Sequence, residues 1–449
     1  MGRRQPVVAM IVVLVLVGCG SAPIPAPPAS VPVPAGTVPP SGDGTPPASP
    51  PASSPGPNVS PAATAATWRP WAVPDGQSAT VKAVGTDGTI YVETFEIKDD
   101  VKSNVGLVAL GPDGAPRTGW TAPSVSPASD ITMVVAAPDG GVYMAEQAAD
   151  KLVVHGLDAT GSARPGWPVT VAGAVMRPFM VVDRDGALRF GWSERGGDRA
   201  VLETLGVDGT RPSGWPVELP GGRPFLASVG RDGTAYVSVV TGQDPIMSPT
   251  RSLAIGPDGK QVPGWAEFTT KDGYHARDVA LERGLVRVAY DMGDGGHDSY
   301  TWLDSTGKAV GPKAAGPPGM TEFDVVAGPG DSLYAADYTC CEAGAAGPGK
   351  LFRYGPDGKP MAGWPVSLEG WPERPLVAPD GTVWTIEHLS PAKVQFVAFG
   401  PDGAPLAGTP VAATIDETYT DAALGPDGSL FSTDRSSGPT LVVRVQAPG

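Results

Sequence analysis

Ala137-Pro138-Asp139-Gly140-Gly141-Val142-Tyr143, followed by Leu157-Asp158-Ala159-Thr160-Gly161 and Gly166-Trp167-Pro168-Val169, spells one unit of a pattern that recurs along this chain of 449 residues. An Asp-Gly pair between short apolar runs is a hairpin signal, because Gly takes a positive φ without strain. The first turn returns as Gly85-Thr86-Asp87-Gly88, Asp183-Arg184-Asp185-Gly186, Gly230-Arg231-Asp232-Gly233, Ala378-Pro379-Asp380-Gly381 and Gly425-Pro426-Asp427-Gly428. An aromatic residue stands four positions after the turn Asp at Tyr91, Tyr143, Tyr236, Trp384 and Phe431, and Tyr334 matches it in the sixth unit. A second Asp turn follows at Asp113, Asp158, Asp208, Asp258, Asp304, Asp357 or Asp402, and a Gly-Trp-Pro-Val-like strand completes the unit.

Trp71, Trp120, Trp167, Trp215, Trp265 and Trp364 are separated by 49, 47, 48, 50 and 99 residues, and Thr409 follows after 45 in the matching run Gly408-Thr409-Pro410-Val411. The interval of 99 is two units, with the Trp absent near Pro312. Residues 71–449 thus hold eight units of about 48 residues, a period that marks a repeat architecture. Four short antiparallel strands per unit predict an all-β fold, a β-propeller of eight four-stranded blades. Seven is the alternative, should the degenerate fifth unit, Trp265 to Pro312, add no blade. The last unit ends after its third strand, Val442-Val443-Arg444-Val445, while Trp71-Ala72-Val73 reads as a fourth strand with no blade of its own. The N-terminal strand is therefore expected to complete the last blade, which closes the ring and removes a free sheet edge.

Upstream of the repeats, residues 1–19 read as an export signal. Arg3 and Arg4 form its basic start, and Val7 to Val17 is an apolar run too short to span a bilayer as a helix. Leu16-Val17-Gly18-Cys19 resembles the lipobox of bacterial lipoproteins, which implies that Cys19 becomes the diacylated N-terminus of the mature protein. From Gly20 to Ala66 the chain is Pro, Ala, Ser, Thr and Val with one charge, and it carries 15 of the 52 prolines. Such a composition buries no core and favours extended polyproline segments. Residues 20–66 are expected to be a disordered stalk, which at about 3.1 Å per residue would hold the propeller domain, residues 67–449, far from the lipid. The 32 basic and 47 acidic residues give a net charge of −15, and Arg3, Arg4 and Asp43 are the only charges before residue 67. Acidity on this scale argues against nucleic acid or an anionic bilayer face as partner, since both demand clustered Lys and Arg.

The unit from Ala137 to Tyr143 and on to Gly161 resembles the PQQ-like repeats of bacterial propellers, in which an aspartate-containing turn precedes a docking Trp. The gap from Gly161 to Trp167 is two residues longer than in that pattern. Ala378-Pro379-Asp380-Gly381-Thr382-Val383-Trp384 is similar to NHL and streptogramin-lyase blades. The resemblance covers nearly all of residues 71–449 and implies a fold, while one fold hosts many functions. A lipid anchor with eight PQQ-like blades also resembles the outer-membrane assembly lipoprotein that scaffolds β-barrel insertion, a pattern that lacks the long stalk.

Propellers take ligands at the channel mouth, where first strands begin. Six residues before each first-turn Asp, or its equivalent, stand Val81, Met133, Phe179 and Leu226, then Arg277, Asp324, Arg374 and Asp421. Half of this ring is apolar and half alternates in sign. Arg277 and Arg374 suit a carboxylate or sugar, and Asp324 and Asp421 suit a cation or hydroxyls; an inter-blade ion-pair ladder fits the same alternation. The four histidines, His155, His275, His297 and His388, lack the spacing of a zinc site. Resemblance to streptogramin lyases, which are expected to use histidines on facing blades, picks out His275 with Glu387 and His388, although His388 at the end of a second strand is expected to face solvent. Gly330-Asp331-Ser332-Leu333 and Asp294-Gly295-Gly296-His297 match hydrolase motifs, but in reversed order and with the Ser in a hairpin turn, so the match reads as coincidence. Cys340 and Cys341 are adjacent in a long loop; outside the cytoplasm a vicinal disulfide, a cross-link to a partner and two free thiols all remain open. Asp291, Asp294 and Asp298 form an acidic loop that would suit Ca²⁺ through carboxylate oxygens or simply a solvated turn.

No residue is assigned a catalytic role, no dedicated metal site is expected, and no cofactor is predicted. The expected protein is a lipid-anchored, extracytoplasmic β-propeller that acts as a binding scaffold for a protein, glycan or small ligand at the bacterial cell envelope, on the surface or in the periplasm. The alternative is a propeller enzyme of the lyase, lactonase or quinoprotein type, the last of which would need PQQ with Ca²⁺.

Overall fold

The computed structural model describes residues 68–98, 101–127, 129–172, 175–194, 199–219, 222–242, 248–272, 274–291, 299–315, 325–338, 348–390, 393–413, 422–434 and 440–445. Within them lies an eight-bladed β-propeller. Blade 1 comprises Ser78–Val84, Ile90–Lys98 and Val101–Leu110; blade 2, Asp130–Ala136, Val142–Gln147, Lys151–Leu157 and Val169–Ala172. Blade 3 runs Val175–Val182, Leu188–Glu194, Ala200–Leu205 and Val217–Leu219, and blade 4, Arg223–Val229, Ala235–Val240, Thr250–Ile255 and Phe268–Thr269. Blade 5 runs Tyr274–Ala280, Leu285–Asp291, Ser299–Leu303 and Ala309–Ala315, and blade 6, Val325–Ala327, Leu333–Tyr338, Gly349–Tyr354 and Val366–Ser367. The degenerate fifth unit is thus a full four-stranded blade, which removes the seven-bladed alternative. Blade 7 has its first strand in two pieces, Trp371–Pro372 and Leu376–Val377, before Val383–Ser390, Lys393–Phe399 and Val411–Ala413.

Blade 8 is shared between the two ends of the repeat region. Ala423–Leu424, Leu430–Asp434 and Leu441–Val445 come from the C-terminal side, and Trp71–Ala72 adds the fourth strand, antiparallel, with Trp71 opposite Val442 and Ala72 opposite Leu441. The bond from Val73 N–H to the Thr440 carbonyl, 2.9 Å, extends the ladder. First strands touch in chain order, and that of blade 8 touches that of blade 1, so the ring closes as expected.

Hydrophobic packing explains why the strands read as they do. Among the described residues there are eight buried apolar clusters, one in each seam between neighbouring blades. Successive side chains of a strand point to opposite faces, so Tyr143 enters the seam with blade 3 while Met144 enters the seam with blade 1. Both faces of a blade are dry. Second strands such as Val142–Gln147 and Ala235–Val240 are buried almost throughout for that reason.

Blade 1 departs from the four-stranded pattern. After Trp120 the chain continues through residues 121–127 without joining the ladder. Pro123 and Pro127 have no N–H to donate, and a proline within a strand is confined to edges and bulges. Trp120, Ala122 and Val125 instead pack as a strap onto the cluster between blades 1 and 2.

Candidate functional site

In an antiparallel meander the first and third connections lie at one end and the second and fourth at the other, so the Asp turns of the blades share one end of the ring. These turns satisfy themselves. Asp87, Asp113, Asp139, Asp208, Asp258, Asp380, Asp402 and Asp427 each accept, through Oδ1, the backbone N–H two residues on. Asp139 is also gripped by Arg164 through two bonds of 2.8 and 2.7 Å. The guanidinium outweighs partial burial and, with the Gly141 N–H, holds the Asp139 carboxyl below its usual range.

The aromatic residue of each first turn has a second task. Tyr91, Tyr143 and Tyr334 donate from their hydroxyls to the carbonyls of Gly140, Gly186 and Gly381, and the Trp384 indole N–H donates to Gly428, in every case the turn glycine of the next blade. Further out, the indole N–H groups of Trp167, Trp215 and Trp364 donate to Val207, Pro257 and Pro401 of the next blade. Arg189 and Arg287 occupy the aromatic position in blades 3 and 5. Arg189 packs over Trp215 with 5.4 Å from guanidinium to ring centre, and Arg287 makes a buried bidentate pair with Asp278 at 2.8 and 3.1 Å while covering Phe268. These arginines hold seams together, a role that the turn pattern alone did not reveal.

The opposite end carries connections that differ from blade to blade, from two residues between Lys98 and Val101 to ten between Tyr338 and Gly349. Blade 7 presents the most elaborate polar group near this end. The interruption of its first strand lets Glu373 N–H bond Ile386 O, and Thr385 Oγ1 donate back to Glu373 O. Trp371 then stacks face to face on the His388 imidazole, ring centres 3.7 Å apart and planes 6° from parallel. His388 Nε2 lies 2.6 Å from Glu373 Oε1. Beneath it the buried Glu387 accepts Gly370 N–H and Gln395 Nε2–H at 2.6 and 2.7 Å. Arg374, in the gap of the innermost strand, is exposed. The result is an imidazole oriented by an indole and a carboxylate, with the exposed Arg374 next to Glu373 in the chain.

Several sequence-based expectations meet this geometry. His388 does not face solvent: it is 5% exposed, because the strand gap brings Trp371 over it. His275 is likewise buried. It begins the first strand of blade 5 and His388 nears the end of the second strand of blade 7, so both sit toward the loop end with one blade between them. Arg277 stands in the middle of its strand, opposite Val288, rather than at the mouth, and Arg374 stands equally midway along the first strand of blade 7. Asp324 and Asp421 lie outside the described residues, as do Cys19, Cys340, Cys341, Asp294 and His297. Ser332 is buried in its turn and donates to Pro329 O, and Asp331 is bound by Arg283 at 2.8 and 2.7 Å, so the hydrolase-like tetrapeptide is a structural turn. Among the described residues no three metal-ligating side chains converge.

No family model and no curated protein matches the chain. Solved structures do. Prolyl oligopeptidase B from Galerina marginata aligns with a TM-score of 0.50 and 9% identity over 80% of this chain and 55% of that one, so the chain spans about half the peptidase's length. Kuenenia stuttgartiensis hydrazine synthase aligns at 0.47 with 16% identity over 72% of this chain and 98% of that one. Virginiamycin B lyase from Staphylococcus aureus aligns at 0.41 with 12% identity over 73% and 95%. At such identities the likeness is one of fold alone.

Proposed function

We propose that this chain is a lipid-anchored β-propeller of the bacterial cell envelope that binds a protein or ligand at its loop end. The observation that carries the reading is the difference between the two ends of the ring. Turn-end aspartates are spent on their own backbone, whereas Trp371, His388 and Glu373 group toward the other end of blade 7, with Arg374 exposed midway along the innermost strand. Binding surfaces concentrate on variable loops held by a rigid frame. The Leu16-Val17-Gly18-Cys19 run and the proline-rich residues 20–66 support tethering at a distance from lipid.

Cross-linking of the full chain in its own cells, followed by identification of what is captured, tests this reading. Arg374→Glu should abolish the capture, while Asp208→Asn at the turn end should leave it. Equal capture by both variants would overturn the loop-end assignment. Cys19→Ala should release the protein from membranes, and retention would overturn lipidation.

A further inference from the structure

We propose that the outer wall of the ring, at the seam between blades 1 and 2, holds a separate binding site for a neutral saccharide. The seam is built differently from its neighbours. Between blades 2 and 3, 3 and 4, and 6 and 7, the glycine before the docking Trp lies so close to the next blade that an added Cβ would meet the carbonyls of Asp208, Asp258 and Asp402 at 2.2, 2.1 and 1.9 Å. Blade 1 makes no such closure. A Cβ on Gly119 would have nothing within 4 Å, as on Gly264 of blade 4, and at blade 1 the buried Trp120 indole N–H has no acceptor among the described residues. Gly161 of blade 2 abuts Thr121 instead, so the contact has slipped by two residues. A cleft of about 520 Å³ opens there.

Its lining points to the ligand class. Pro123 and Pro168 offer apolar surface over a floor of the buried Trp167 and Leu157, while Thr160 and Ser162 bring hydroxyls, that of Thr160 donating to Asp158. His155 is the only ionisable side chain among the lining residues. A wall that is part ring and part hydroxyl, with no fixed charge, matches a sugar, whose C–H faces are apolar and whose rim is hydroxyl. It brings no Lys or Arg to a carboxylate or phosphate. The polar element is held firmly: His155 Nε2 lies 3.0 Å from Glu146 Oε2, and Glu146 Oε1 accepts the Ser126 N–H at 3.0 Å. Both side chains are at least nine-tenths buried. Ser126 belongs to the same strap as the cleft residues Thr121, Ala122 and Pro123, so one carboxylate orients the imidazole and fixes the opposite wall.

The test uses the full chain carrying Cys19→Ala on an array of neutral and anionic glycans, followed by titration of its best neutral glycan. Ala163→Trp places a large ring at an exposed rim position, and His155→Ala removes the imidazole. The expected result is selective retention of neutral glycans, with affinity reduced tenfold or more by each variant and the melting temperature of Ala163→Trp unchanged. Three results would each overturn the proposal: no neutral glycan bound, anionic glycans bound equally well, or full affinity retained in Ala163→Trp. The last would also show that any glycan binding lies outside this cleft, leaving the function proposed above standing.

Discussion

The Tyr143 hydroxyl donates a 2.8 Å hydrogen bond to the carbonyl of Gly186, across the seam between blades 2 and 3. The phenol is buried, which pushes its pKa up to about 12, with Arg164 opposing and Asp139 and Asp183 adding to the rise. It therefore remains a donor throughout the physiological range. Tyr143→Phe keeps the ring against Trp167, whose centre is 5.1 Å away, and removes only the bond. Leaving a buried carbonyl without a donor costs about 1–3 kcal/mol, and urea unfolding should show a loss of that size. Tyr91→Phe and Tyr334→Phe act in distant seams, so the losses should add. A triple variant as stable as the parent would show that the seams do not depend on these bonds.

Gly119 and Gly166 have nearly the same backbone, with φ of +79° and +76°, but different surroundings. A side chain at either carries the cost of a left-handed residue, roughly 1 kcal/mol. At Gly166 the new Cβ would also strike the Asp208 carbonyl at 2.2 Å, while at Gly119 it meets open space. Gly119→Ala should lower stability by about 1–2 kcal/mol, and Gly166→Ala by clearly more. Equal losses by chemical denaturation would contradict the picture of one open and one closed seam.

Blade 8 is completed by Trp71 and Ala72, and Trp68 adds an edge-to-face contact with Phe431 at 5.3 Å. Removal of residues 1–66 leaves all of this intact, whereas removal of residues 1–73 exposes the edge of Leu441–Val445. The shorter deletion should melt with the parent; the longer should melt lower and self-associate, because an unpaired edge templates pairing with another chain. Size-exclusion chromatography and thermal melts decide between these outcomes.

Much of the fold was legible because the turns are chemically forced. Gly140 and Gly186 need positive φ, Asp87 and its counterparts cap their own turns, and the repeat spacing then counts blades and exposes the orphan strand at Trp71. What was not legible depends on departures from the repeat. Pro123 and Pro127 signalled that blade 1 would not form its fourth strand, but the regular Trp120 spacing masked them. Arg189 and Arg287 replace an aromatic, and only packing shows that a guanidinium over Trp215 or Phe268 fills the same space. His388 read as exposed because the gap in the first strand, which brings Trp371 onto it, leaves no periodic trace. His155 and Glu146 lie in different strands and meet through pairing that places Met144 opposite His155.

Glu146 should leave a signature in acid. Burial alone would raise its pKa, but the Ser126 N–H and the His155 contact outweigh that, and the folded-state value lies below the ordinary one. Over the range beneath the ordinary glutamate value of about 4.3, the unfolded chain then binds more protons than the folded chain at this site. Stability from Glu146 is complete above that value and is lost as pH falls through the lowered folded value. Glu93 has the opposite sign: burial, opposed by Lys82 and Lys102, raises its pKa, so its charged form is disfavoured in the fold and the whole-protein acid curve is a sum of both. The difference between parent and variant isolates one site. Glu146→Gln should lower stability near neutral pH by about 1–3 kcal/mol, since one buried partner goes unsatisfied, and the gap should narrow as acid protonates the parent. Urea midpoints from about pH 7 down to about pH 3, in the window set by that glutamate value, supply the measurement. A gap that stays constant across the series would mean that Glu146 acts through shape rather than charge.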